Sequence, residues 1–468
     1  MTITSPSGIL ERDSLDHLRA ALDRLESGFA GLPPSFAAAG EAGGMEAVLA
    51  EVAERLHDNY PYFHPLYAGQ MLKPPHPVAR TAYALAQWIN PNNHALDGGR
   101  ASSRMEKEAV AELARMVGFP THLGHLASGG TMANLEALWV AGRLRPGETV
   151  LASQQAHYTH QRISAVLGLS FEAVACDARG RLDLGALRRR LERGGVGAVV
   201  ATMGTTATGS VDPLPEMLDL REQFGFRLHA DAAYAGYFRL AGGLAPETRR
   251  SLDRLGEVDS LVIDPHKHGL QPYGCGCVLF RDPSVGRLYR HDSPYTYFTS
   301  DELHLGEISI ECSRPGAAAV ALWATQRLLP LLPEGQLARG LERGRAAACG
   351  FYDRLRADPR VVTAFPPELD IVVWTVRAGS VSEAGALARQ VFAEAARSGL
   401  HLALAELPVG FFDLPAGMAR DRETATCLRS VLMKPEHLEW LDRIWTILDG
   451  ATSTVLPAQK GAVRPSGS

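Results

Sequence analysis

From residue 79 to 280 the chain alternates between helical periodicity and short, continuously apolar β-rich runs, and this alternation limits its fold more than any other feature. Helices are predicted over 79–89, 103–117, 131–143, 156–168 and 183–193, and strands over Thr149–Ala152, Ala198–Met203, Arg227–Ala230, Ser260–Asp264 and Cys277–Phe280. Several of these strands are continuous apolar runs rather than alternating ones. A strand reads that way when helices cover both faces of its sheet, as in a parallel α/β domain. Such domains carry their active-site loops at the C-terminal ends of the strands.

The flanking segments read differently. Residues 10–30 carry Leu15, Leu18, Leu22 and Leu25 at helical spacing. A Gly/Ala/Pro-rich stretch, 31–44, separates them from a second helix at 45–57. Prolines at 61, 65, 74, 75 and 77 then impose an extended connection. At 468 residues the chain exceeds one compact domain. The expected division is an N-terminal helical arm and extended segment (1–78), a large α/β domain (79–314), a small α+β domain (315–450) opening on a long helix after Pro315, and a loose tail (451–468) of small and polar residues.

A net charge of -5 offers no electrostatic reason for nucleic acid or an anionic membrane as partner. The start, Met1–Leu10, lacks the pattern of a signal peptide, and no apolar run approaches the ~20 residues of a membrane helix. The six cysteines are dispersed, and Cys275 and Cys277, two apart in a strand, read as core residues rather than metal ligands. A reduced, cytoplasmic setting is expected and no metal. Lysine is scarce: Lys73, Lys107, Lys267, Lys434 and Lys460 are all there are, so few residues compete for a role that needs an amine.

Four motifs carry chemistry. Asp264-Pro-His-Lys267 follows an apolar strand directly, placing a lysine where such domains hold ligands. Partly desolvated there, a lysine loses its proton and attacks a carbonyl; the bland alternative is an exposed loop lysine. His229-Ala-Asp231-Ala-Ala233 follows the preceding strand, so an acid and an amine end consecutive strands 36 residues apart. Pyridoxal 5'-phosphate needs this pair: the amine binds the aldehyde, and the carboxylate keeps the ring nitrogen protonated. Small residues after Asp231 leave room for a flat ring, although an aspartate there also serves as a turn cap. Ser128-Gly-Gly130-Thr131 opens a helix and suits a phosphate, or is a plain capped turn. His157 follows a strand end, where an imidazole lies over an aromatic ring or is merely structural.

Together, Ser-Gly-Gly-Thr-x-Ala-Asn-Leu, Ala156-His157, Gly204-Thr205-Thr206, His-x-Asp-Ala-Ala-Tyr-Ala-Gly and Asp-Pro-His-Lys, in this order, resemble the group II pyridoxal-phosphate decarboxylases of the glutamate, tyrosine and aromatic amino acid type. The likeness runs from about residue 60 to 320 and continues loosely to Leu428-Arg-Ser-Val-Leu-Met. It implies a fold-type I enzyme with a mostly parallel seven-stranded sheet in the large domain. It implies that Lys267 bears the cofactor and that Asp231 pairs with its ring nitrogen, with Ala233 on one ring face and His157 on the other. Gly130, Thr131 and His266 would hold the phosphate. Thr205 or Thr206 would lie by the ring oxygen, and Ser313 and Arg314 would approach the phosphate of a neighbouring subunit in a homodimer with shared active sites. The implied reaction is decarboxylation of an L-amino acid.

Two departures stand out. Asp264 replaces the Asn common in the aromatic enzymes, although the archaeal tyrosine/aspartate type also has an acid there. The segment 291–301 aligns poorly with the family's mobile loop, so Tyr295 and Tyr297 are both candidates for the proton donor. Residues 260–316 also resemble the sphingosine-phosphate lyases, which makes an aldol-type lyase the alternative activity; a non-catalytic relative is a third. Tyr60, Tyr62, Phe63 and Tyr67 favour a large apolar or aromatic substrate, with Tyr67 as the contact, or else pack the arm on a partner.

Overall fold

The computed structural model describes residues 10–33, 44–289 and 309–456. Tyr295 and Tyr297 lie outside the described residues. The large domain holds a seven-stranded sheet formed by β1 (Leu123–Ala127), β2 (Thr149–Ser153), β3 (Phe171–Val174), β4 (Val196–Thr202), β5 (Arg227–Asp231), β6 (Ser260–Ile263) and β7 (Gly276–Phe280). Its spatial order is β1-β7-β6-β5-β4-β2-β3. The pairs β2–β3, β2–β4, β4–β5 and β5–β6 are parallel, and β7 runs antiparallel to both β6 and β1. The expected strands are therefore all present.

β1 and β3 escape the sequence pattern. In β1 the apolar run is interrupted by Gly124 and His125, yet all five residues are buried. His125 is tolerated because its Nε2 meets Glu136 Oε2 at 2.7 Å on the adjoining helix. β3 is short and half exposed, with Glu172 and Ala173 facing solvent. Helices Leu214–Phe224 and Pro246–Asp253 were likewise not marked by strong periodicity.

The register explains where a site must form. Thr202 pairs with Asp231 and Asp231 with Val262, so β4, β5 and β6 end side by side. Ala127, the last residue of β1, pairs with Gly276 at the start of β7. The loops after β1, β4, β5 and β6 thus leave the sheet along one edge. A Cβ on Gly276 would lie 2.5 Å from the backbone of Gly129, so only glycine lets the two chains cross there.

The C-terminal region contributes a four-stranded antiparallel sheet that includes Ile371–Val376 and Thr424–Val431. Its last helix, His437–Val455, runs into the segment expected to be a loose tail. Ala451 and Thr452 are buried there, and Thr452 Oγ1 donates to Leu448 O at 2.8 Å. Small residues pack as well as they loosen, so residues 451–455 belong to the helix.

Candidate active site

A cavity of about 320 Å³ opens at the shared strand edge. Its lining includes Gly130, Thr131, His157, Thr206, Asp231, Ala233, His266 and Lys267. Residues far apart in sequence meet there because the parallel strands end together.

Lys267 Nζ lies 3.1 Å from Asp264 Oδ2, and His266 Nε2 lies 3.5 Å from the same oxygen. His266 is oriented by its Nδ1, 2.8 Å from Cys275 O, and burial lowers its pKa. Asp264 Oδ1 is buried without a hydrogen-bond partner among the described residues. A Cβ on Gly130 would meet the Asp264 carboxylate at 2.7 Å, so the absence of a side chain at 130 leaves the cradle open. Just before the helix Gly130–Leu144, the Ser128 N–H donates to Glu311 Oε2 at 2.9 Å.

Asp231 is buried, and its Oδ2 accepts from His160 Nε2 at 2.8 Å and from Asn134 Nδ2 at 3.3 Å. The Ala233 N–H donates to Oδ1 at 3.2 Å. Burial alone would raise the pKa of this carboxyl; the His160 hydrogen bond and the charges around it outweigh burial and hold it well below the usual range. Burial lowers the pKa of His157, whose ring is half-buried at the cavity wall. Asn134 stands in the Ser-Gly-Gly-Thr motif without an assigned role, and His160 had no signal beyond its place in the first turn of a helix that starts at the site.

Thr205, Tyr67, Ser313 and Arg314 lie outside this cavity's lining, the last two being expected at a neighbouring subunit's site. Thr205 is fully buried, its Oγ1 2.7 Å from Thr208 Oγ1 and accepting from Ser210 N at 3.1 Å; the turn consumes it, and Thr206 faces the cavity instead. Arg314 is buried within its own subunit. Its Nη1 donates to Glu106 Oε1 and Leu126 O, each at 2.7 Å, and its Nη2 to Asn93 O at 3.0 Å. A buried guanidinium must spend its donors on fixed acceptors, and within this chain Arg314 braces β1. Ser313 is exposed and accepts from Asn92 Nδ2 at 3.1 Å, outside the cavity lining. Tyr67 is also outside it: its ring packs between Tyr62 and His401, with Lys434 Nζ 5.3 Å from its centroid. Met71, four residues on, reaches the cavity in its place.

A glycine-lined anion cup, a lysine and a buried carboxylate around one flat cavity define a pyridoxal-phosphate enzyme of fold type I, and the donor set fits that cofactor. Residues 139–376 match the pyridoxal-dependent decarboxylase conserved domain, and the chain belongs to that family. It is 31% identical over 265 residues to a "Probable L-tyrosine/L-aspartate decarboxylase" of Methanothermobacter thermautotrophicus, covering 55% of this chain and 70% of that protein. To the L-2,4-diaminobutyrate decarboxylase of Rhizobium meliloti it is 30% identical over 355 residues, covering 71% and 69%. In fold it is similar to the crystal structure of Oryza sativa TDC with PLP and tryptamine, with a TM-score of 0.76, 20% identity, and coverage of 96% and 99%. The protein is a pyridoxal 5'-phosphate-dependent amino acid decarboxylase.

Proposed function

We propose that the substrate is an L-amino acid with a large uncharged side chain, apolar or aromatic. The observation that carries this reading is the cavity wall: among the described residues, Lys267 is the one lysine or arginine on it. An acidic side chain buried there would lack a partner cation, whereas Met71 and the rim of Tyr234 suit apolar surface. Release of carbon dioxide from each of the twenty amino acids tests this. Aspartate or glutamate turning over fastest overturns it.

The cofactor, once bound, supplies an electron sink for the charge left at Cα when the carboxylate departs. The chain's own residues do the rest. Lys267 is the amine that carries the cofactor, with Asp264 holding its Nζ in place beforehand. Gly130, Thr131 and His266 would bind the phosphate, Asp231 would pair with the ring nitrogen, His157 and Ala233 would bracket the ring, and Thr206 would lie on the oxygen side. Tyr295 or Tyr297 donates the proton to Cα, with water kept from the competing carbon.

The enzyme acts as a homodimer in the cytoplasm, with Ser313 approaching the neighbouring site. Support comes from the helix Met45–Leu56, which has no buried residue and exposes Val48, Leu49, Val52 and Leu56 on an apolar stripe. Sedimentation across a dilution series checks it; a fully active monomer refutes it.

A further inference from the structure

His160 begins the helix Thr159–Val166 and is fully buried. A carboxylate only accepts hydrogen bonds, so at 2.8 Å from Asp231 Oδ2 the His160 Nε2 is the donor. Asn134 is turned the same way. Its Oδ1 lies 2.8 Å from His229 Nε2, and His229 Nδ1 lies 2.9 Å from Ser260 Oγ. Burial lowers the His229 pKa to about 3, so this imidazole is neutral with a single N–H. Because the Asp231 carboxylate accepts from Asn134 Nδ2, Asn134 Oδ1 takes the His229 Nε2–H, which leaves His229 Nδ1 to accept from Ser260. Two side-chain donors therefore converge on Oδ2, while among the described residues Oδ1 receives only the Ala233 N–H.

We propose that His160 is a positioning residue: its hydrogen bond to Oδ2 holds Asp231 as the anion, so that the proton between Oδ1 and the ring nitrogen of the cofactor stays on the nitrogen. This rests on the reading of Asp231 as the partner of that nitrogen. Burial in this setting favours a neutral carboxyl, which would draw the proton away from the ring. Each donor on Oδ2 makes the carboxylate less basic and opposes that transfer. His229 and Lys267 also act on Asp231, and Asp264 and Lys267 act on the neighbouring His157. Remove the His160 donor, and the proton shifts toward Asp231 and the electron sink weakens.

The test uses holoenzyme loaded with cofactor carrying 15N in its ring. The ring-nitrogen chemical shift reports protonation directly and needs no substrate, so it stands even if the proposed substrate is wrong. The parent and His160→Gln, whose amide still donates, are expected to give a protonated-nitrogen shift. His160→Phe and the smaller His160→Leu should move it toward the unprotonated value. Their kcat should fall roughly tenfold while KM stays within about twofold, because the substrate does not touch residue 160. An unchanged shift in a donor-free variant that binds cofactor overturns the proposal. Failure of all three variants to fold also overturns it, by reducing His160 to packing. Asp231→Asn separates the two readings: if that variant leaves the shift unchanged, the role of Asp231 itself is wrong.

Discussion

Lys267 Nζ and Asp264 Oδ2 face each other at 3.1 Å across one turn of the loop after β6. The acid holds the amine at the cavity wall, and the same carboxylate fills the space a side chain at Gly130 would need. Lysine, carboxylate and glycine cup are thus one mechanical unit.

Lys267→Ala should abolish both turnover and the visible absorption of the bound cofactor, with far-UV circular dichroism unchanged. Borohydride followed by peptide mapping locates the attachment; a reduced adduct at another lysine refutes the assignment. Asp264→Asn, which keeps a hydrogen-bonding partner for Lys267 Nζ, should retain more activity than Asp264→Ala by about tenfold.

Gly130→Ala places a methyl group against the Asp264 carboxylate, where 2.7 Å is far inside contact. The phosphate cup and the Lys267 partner are expected to shift together. Cofactor affinity, measured by equilibrium dialysis, should weaken by roughly tenfold or more. Unchanged affinity would show that the cup does not hold the cofactor.

Arg314→Ala leaves Glu106 buried without its cation and frees the carbonyl of Leu126. Breaking such a pair costs about 3–5 kcal/mol. The melting temperature of the holoenzyme should fall by several degrees, while the visible band at 25 °C survives. Loss of cofactor with no loss of stability would return Arg314 to the phosphate.

Replacing Tyr295 or Tyr297 by Phe tests the proton donor. The right substitution should slow amine release and raise the share of carbonyl by-product formed with pyridoxamine phosphate, read by chromatography of the products. If both variants decarboxylate normally and cleanly, neither tyrosine takes part.

The placements most legible in the sequence are those of motifs at strand ends. Asp231, His266 and Lys267 were legible because continuous apolar runs identify parallel strands, and a polar residue just past such a run has one place to go. Tyr67 and Met71 show the opposite case. Both sit in a proline-rich segment without periodicity, where nothing local tells which side chain turns inward; packing against His401 decides it. Thr205 and Thr206 are adjacent and chemically alike, and only the turn closed by Thr208 and Ser210 separates them.

By itself, then, the sequence determined the α/β alternation, the lysine and acid at consecutive strand ends, and the glycine cup, because each is a local pattern of polarity and backbone freedom. The tertiary structure decided which donors meet those groups. His160 and Asn134 stand 71 and 97 residues before Asp231, yet both end on one of its oxygens. Arg314 stands 208 residues after Glu106 and is buried against it. Contacts at such separations arise from strand order and register, and the need to satisfy buried charge then selects among side chains that look equivalent along the chain.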